Sequence, residues 1–305
     1  MEPTRLKHRP IKPEAFVRNA GDTSQDVDDL GPLAELEGTW VGNKGWNIVA
    51  LPSAGSKPED TGKFTLLVRP FTETLTFNAI GGLVRNRGGA VDQFIGALEY
   101  HQHVADLETA EAMHEETGMF MYLDHIAPED GFPLPNTIAR SGTIPHGNSI
   151  MLMGNHFETD GPPPFGNGVP PLSSLPTRLG EGVPFGYTDP YMTANAANPD
   201  LDVIDPHVTL GKDIEGQTIN RTTTLFMETE QEGGGILNVP FIQKFADTPS
   251  MEATFWIEEV QVEDSDQTFL QLQYSQVINI DFHKNFDGTD IIRWPHITIN
   301  TMRKQ

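Results

Sequence analysis

The chain has 305 residues and no cysteine, and its 43 acidic against 20 basic side chains give a formal net charge of -23. The lack of cysteine excludes disulfides and every cysteine-based metal site or nucleophile. The negative charge repels phosphate backbones and anionic lipid surfaces, so we expect no nucleic-acid partner. There is no apolar run long enough to span a membrane and no apolar signal segment near Met1, so we expect no membrane insertion and a cytoplasmic location.

The first 30 residues differ in composition from the rest of the chain. They are polar, change from basic around Arg5 and Arg9 to acidic around Asp26 and Asp29, and sustain no hydrophobic period. The whole chain is 37% hydrophobic, which is enough for one large core. We therefore predict an N-terminal arm over residues 1–30 and a single domain over residues 31–305.

From residue 38 onward, extended segments rich in β-branched and aromatic residues follow one another, separated by Gly or Asp clusters. The predicted strands cover residues 38–51, 73–80, 94–104, 112–123, 137–143, 149–157, 218–228, 251–262, 268–282 and 296–302. The segment 268–282 alternates most clearly, with an almost wholly apolar face opposite a mixed polar face. About ten strands without a long helix favour an all-β, closed antiparallel barrel, because closure removes exposed strand edges.

Residues 158–216 interrupt this pattern with many Pro, Gly, Asn and Asp residues. A sheet ladder cannot accept that many prolines, so we predict one long insertion within the domain. The insertion either caps the barrel mouth or packs on a second subunit, and we expect a homodimer.

The last predicted strand contains Pro295 and His296. Proline cannot donate within a ladder, which places the start of the strand at this point and His296 near its beginning. Alternation puts His296, Thr298, Asn300 and Met302 on one face. From the spacing alone, His296 is either a metal ligand inside the barrel or a hydrogen-bonded structural histidine.

Several short motifs occur in order along the chain: Gly38-Thr39-Trp40-Val41-Gly42, Gly45-Trp46-Asn47, Glu73-Thr74-Leu75-Thr76-Phe77, Met113-His114-Glu115-Glu116-Thr117-Gly118 and Pro295-His296. In these motifs the chain resembles the nitrobindin-like family, in a longer and peroxidase-like branch. The resemblance implies a lipocalin-like, fatty-acid-binding-protein-like barrel that holds ferric haem b. It implies His296 as the proximal ligand of the haem iron. We also expect Thr39, Trp40 and Met302 to bind the haem.

Three further features bear on chemistry. His146 lies in a predicted Pro/Gly turn between two strands and is either a distal acid–base residue for peroxide or an exposed turn histidine. His101 and His103 share a strand face, which suits either a zinc or copper pair or two outward side chains, depending on where Tyr100 points. Ser275 has no base nearby in sequence, which argues against a serine hydrolase.

The sequence therefore favours a haem-binding barrel, with haem-dependent peroxidase-like activity as an extension. The alternative is a non-enzymatic carrier of a fatty acid or another small hydrophobic ligand, since barrels of this size also hold one apolar molecule.

Overall fold

A computed structural model describes residues 27–80, 83–85, 93–123, 136–166, 169–179 and 186–305. Most of the predicted N-terminal arm lies outside these ranges.

The described chain contains thirteen strands and four α-helices. The strands are β1 (Gly38–Pro52), β2 (Phe64–Ala79), β3 (Val84–Arg85), β4 (Phe94–Asp106), β5 (Ala112–Leu123), β6 (Ile138–Ile144), β7 (Asn148–Asp160), β8 (Thr177–Arg178), β9 (Ile219–Glu228), β10 (Gly235–Asn238), β11 (Asp247–Gln261), β12 (Thr268–Lys284) and β13 (Ile291–Lys304). The helices are α1 (Val27–Leu30), α2 (Asp189–Ala197), α3 (Pro206–Asp213) and α4 (Pro240–Phe245), and a 3-10 helix (Gly31–Leu36) follows α1.

Ten of the strands form a closed antiparallel barrel in the order β1-β2-β4-β5-β6-β7-β9-β11-β12-β13. The barrel closes because β1 pairs with β2 along one edge and with β13 along the other. The three short strands lie outside this ring, with β3 beside β4, β10 beside β7 and β8 beside β13. The predicted all-β closed barrel is confirmed.

The prediction for the start of the last strand is wrong. β13 begins at Ile291, and Pro295 lies inside it, opposite Asn279 of β12. On the other side of β13, the ladder with β1 ends at Ile297 and the ladder with β8 begins at Arg293. Pro295 falls in the gap between these two ladders, where a residue without an N–H is tolerated.

One half of the barrel interior is packed with the protein's own apolar side chains. The 3-10 helix inserts Leu33 and Leu36 into this core, where they join Trp40, Phe77 and Phe120. The Trp40 indole N–H donates to the Leu36 carbonyl over 2.8 Å and fixes the helix to β1. This end of the barrel is therefore plugged by the protein's own side chains.

The described residues of the predicted insertion pack mainly on the outside of the barrel, while Tyr187 packs against Trp294, which lies on the same face of β13 as His296. β7 continues to Asp160, and the segment beyond it contains β8, α2 and α3. Its apolar residues, among them Tyr191 and Leu210, cover the outward side chains Trp256, Ile297 and Ile299. The insertion thus supplies a second apolar layer over β11, β13 and β1. In the described ranges, no helix is long and apolar enough to cross a membrane.

Candidate functional site

His296 lies on the inner face of β13, at the end of the barrel away from the 3-10 helix. The side chain is deep inside the protein, yet it keeps some accessible surface. Asn47, Thr298 and the neighbouring Ile278 of β12 are likewise only partly buried. These four residues line the space that gives His296 its accessible surface, which we call the cavity.

Asn47 determines the hydrogen bonding of His296. The His296 Nε2 atom is 2.6 Å from the Asn47 Oδ1 atom, and the Thr298 hydroxyl donates to the same oxygen over 3.4 Å. Because an amide oxygen only accepts, the proton of a neutral His296 ring resides on Nε2. The Nδ1 atom is then the ring nitrogen with a free lone pair.

Two more histidines lie across the barrel from His296. In the ring of ten strands, β5 is four steps from β13 and β6 is five steps away, so both stand nearly opposite it. β5 carries His114 and the turn after β6 carries His146, with ring centroids 5.6 Å apart. Burial lowers the pKa of His296, the nearby His114 and His146 lower it further, and together they bring it to about 3. His296 is therefore neutral at physiological pH, the form in which imidazole binds metals.

His146 is exposed in the turn, as one of its two sequence-based interpretations expects. Partial burial and then the nearby His114 lower the pKa of His146, while a hydrogen bond with the backbone of Met113 opposes the shift. The Gly147 carbonyl accepts from the Val239 N–H over 2.9 Å, which joins the turn to the segment before α4. The structure thus brings His146 to the same end of the barrel as His296.

His114 belongs to a buried charge network that sequence reasoning missed. Its Nε2 atom is 3.3 Å from Glu116 Oε2, while Arg140 and the Tyr100 hydroxyl both donate to Glu116 Oε1. Burial opposes ionisation of Glu116, but the Arg140 charge and the hydrogen bonds from His114 and Tyr100 outweigh it and lower the carboxyl pKa to about 2. The alternation of β5, which puts His114 and Glu116 on one face, was the available signal.

A second buried carboxyl separates the histidine end from the apolar core. Glu73 accepts from Gln102 over 2.7 Å, from the Tyr274 hydroxyl over 2.6 Å and from Asn300 over 2.8 Å. Burial raises the pKa of Glu73, and these hydrogen bonds oppose the rise. Glu73 and its three partners form a polar layer, with the three histidines on one side of it and the plugged half of the barrel on the other.

The remaining residues predicted to bind haem lie away from His296. Trp40 and Met302 are packed in the apolar core at the plugged end. Met302 lies six positions after His296 on β13, which corresponds to roughly 20 Å of strand. The Thr39 hydroxyl lies 3.4 Å from that of Thr76. The haem-binding role of Thr39, Trp40 and Met302 stays a prediction, and the structure brings none of them into the cavity wall around His296.

His101 and His103 point outward, because Tyr100, which precedes His101 on β4, points into the core. Both contact Glu115, and the His101 Nε2 atom is 3.0 Å from Glu115 Oε2. Within the described part of the chain, no group of three or more His, Asp or Glu side chains is arranged to hold a metal ion. The two histidines and Glu115 form a solvent-facing cluster of polar contacts in this structure.

Ser275 has a histidine partner that its sequence neighbours did not reveal. His207 of α3 lies against the barrel with Nε2 3.0 Å from the Ser275 hydroxyl and Nδ1 3.0 Å from the Pro170 carbonyl. Burial lowers the His207 pKa, and the Pro170 hydrogen bond and Asp205 oppose this shift. His207 and Ser275 are both buried, so the contact fastens the insertion to β12.

Two depressions open on the outer surface of the described residues. A shallow groove of about 910 Å³ lies between α2 and the outer face of β2, next to Phe64 and Ala194. A smaller cavity of about 220 Å³ lies between Leu172 of the insertion and Glu252 of β11. Neither includes His114, His146 or His296 among its lining residues.

Comparison with known proteins finds no matching family model and no matching curated protein. Among solved structures, the chain is similar to the crystal structure of Rv2717c from M. tuberculosis, with 13% sequence identity and a TM-score of 0.41. The similarity covers 91% of this chain and 99% of that one.

Proposed function

We propose that this protein binds haem in the cavity at the histidine end of the barrel, with His296 as the proximal ligand. The observation that carries the proposal is the placement of a neutral, deeply buried His296 opposite His114 and His146. The donor at the site is a neutral imidazole whose Nε2–H is held by Asn47 and whose Nδ1 atom has a free lone pair. Metal-bound histidines usually donate their other ring N–H to an oxygen acceptor in this way.

The side chains opposite His296 determine which reactions such a site supports. A haem held by His296 would supply reactivity toward a gas or a peroxide. His114 and His146 belong to the wall opposite His296, where they accept or donate protons for a bound ligand. Peroxidase-like activity is therefore part of the proposal.

The alternative, a fatty-acid carrier, has less support. A long acyl chain requires an open apolar interior, but Trp40, Phe77, Phe120 and Phe255 fill that half of the barrel. The cavity wall around His296 also includes the polar side chains of Asn47 and Thr298.

Titration of the purified protein with hemin tests the proposal. We expect a saturable Soret band at one haem per chain, and its loss in His296→Ala. His101→Ala, which removes an exposed outward histidine, is the matched control and keeps the band. Hemin binding that is no stronger than to an unrelated acidic protein would overturn the proposal. Co-purified fatty acid in native mass spectra would then support the carrier.

A further inference from the structure

One wall of the cavity contains a carboxylate–histidine pair on β5, formed by Glu116 and His114. His114 is about a quarter exposed at 27%, whereas its partner Glu116 is 2% exposed. Their contact, 3.3 Å from Nε2 to Oε2, is a long hydrogen bond that runs from the cavity wall into the core.

The position of the carboxylate is fixed by the core around it. Arg140 is fully buried, donates to Glu116 over 2.8 Å and also donates to the Gln276 side chain over 2.6 Å and to the Tyr100 hydroxyl over 3.1 Å. Gly142 on the neighbouring strand leaves the space for this group, since a Cβ atom there would overlap the Glu116 and Tyr100 oxygens. Glu116 is thus ionised and cannot rotate away from His114.

The three histidines of the site therefore have different partners. His296 is held by the neutral amide of Asn47, and His146 by the backbone of Met113. Among these three, His114 alone contacts a carboxylate. Because an ionised carboxylate only accepts, Nε2 of a neutral His114 carries the proton and Nδ1 is the basic atom.

We infer that His114, positioned by Glu116, is the proton acceptor for small protic ligands that bind in this cavity as anions, namely hydroperoxides and hydrogen cyanide. The inference rests on the proposed haem site. The ligand's acidic hydrogen passes to His114 Nδ1, which leaves the ligand as its anion and His114 as an imidazolium facing the Glu116 carboxylate. When the ligand leaves, the same proton returns to it, so no net charge or electron is transferred.

The first test needs no haem. Nitrogen-15 NMR of the histidine rings in the unloaded protein should show the Nε2–H tautomer of neutral His114. In Glu116→Gln the amide both donates and accepts, so we expect a mixture of tautomers. A dominant Nδ1–H tautomer in the wild-type protein would overturn the inference, even if the Gln variant does not fold.

The second test uses potassium cyanide and the haem-loaded protein. Loss of a general base lowers proton-transfer rates by about 100-fold or more, so we expect His114→Leu to slow cyanide association by about 100-fold. His101→Leu, on the outer face of β4, should bind cyanide at the wild-type rate. An unchanged rate in His114→Leu with an intact Soret band would overturn the inference and leave haem binding standing. A wild-type protein that shows no Soret band after hemin is added would instead refute the haem site.

Discussion

Among single residues, Asn47 has the most direct influence on His296. Its side-chain oxygen accepts from His296 Nε2 over 2.6 Å and leaves Nδ1 free. A partner of this kind orients a metal-binding imidazole and makes it more basic. The chemistry of His296 therefore depends on a side chain from a strand at the other end of the sequence.

Replacing Asn47 with Leu removes this acceptor while keeping a similar volume. We expect hemin affinity to fall by about 10- to 100-fold, as for other lost partners of metal-binding histidines. Hemin titration measures the change. Asn78→Leu, an exposed position on β2, is the control, and equal affinities of the two variants would contradict the role of Asn47.

Arg140 stabilises the protein through Glu116. Both side chains are 2% exposed, and Arg140→Met leaves the carboxylate buried without a charged partner. Breaking such a pair costs about 3–5 kcal/mol of unfolding free energy. Urea denaturation should show this loss in Arg140→Met and a partial recovery in Arg140→Met/Glu116→Gln. If Arg140→Met is as stable as the wild type, the Glu116 carboxylate is not confined as described.

At the level of elements, the insertion is fastened to the barrel by a buried histidine. Neutral His207 joins Pro170 of the insertion to Ser275 of β12, and its ring lies 5.7 Å from that of Trp256. Its pKa in the folded protein lies below the ordinary value of 6.5. As the pH falls below 6.5, the unfolded chain gains a proton that the folded protein resists, so the stability contributed by neutral His207 decreases.

We therefore expect acidification from about pH 7 to about pH 5, across the ordinary histidine range, to destabilise the wild type more than His207→Gln. Glutamine retains hydrogen-bonding groups but does not titrate. Urea unfolding followed by tryptophan fluorescence measures the difference at each pH. The role of His207 is wrong if both proteins lose the same unfolding free energy.

The elements also show why sequence reasoning succeeded in some places and failed in others. The bounds of β5 matched the prediction at both ends, because period-two alternation is a local property of the chain. The start of β13 did not, because the position of Pro295 depends on where two neighbouring ladders end. The packing of the insertion had no local signal, since its partners Trp256 and Ile297 belong to distant strands.

The same distinction applies to the site. His296 was found through a resemblance and the alternation of one strand. His114 was passed over because its importance lies in Arg140 and Glu116 meeting inside the barrel, on different strands. His207 could not be paired with Ser275 from sequence, because 68 positions separate them.

At the scale of the whole molecule, the net charge of -23 opposes the compact state. We expect the melting temperature to rise when sodium chloride increases from about 0.01 M to about 0.15 M, since the Debye length falls from about 30 Å to about 8 Å. An equal osmolality of sucrose serves as the control for effects that are not ionic. A melting temperature that falls with salt would mean that local ion pairs outweigh the overall repulsion.

The central claim is that His296 holds a haem, and chemical replacement of this side chain tests it most directly. His296→Gly removes the imidazole and leaves a space beside Asn47 and Ile278. We predict that His296→Gly loses the Soret band of the hemin-loaded protein and that added imidazole restores it. A Soret band that is unchanged in His296→Gly, with no response to imidazole, would contradict the account.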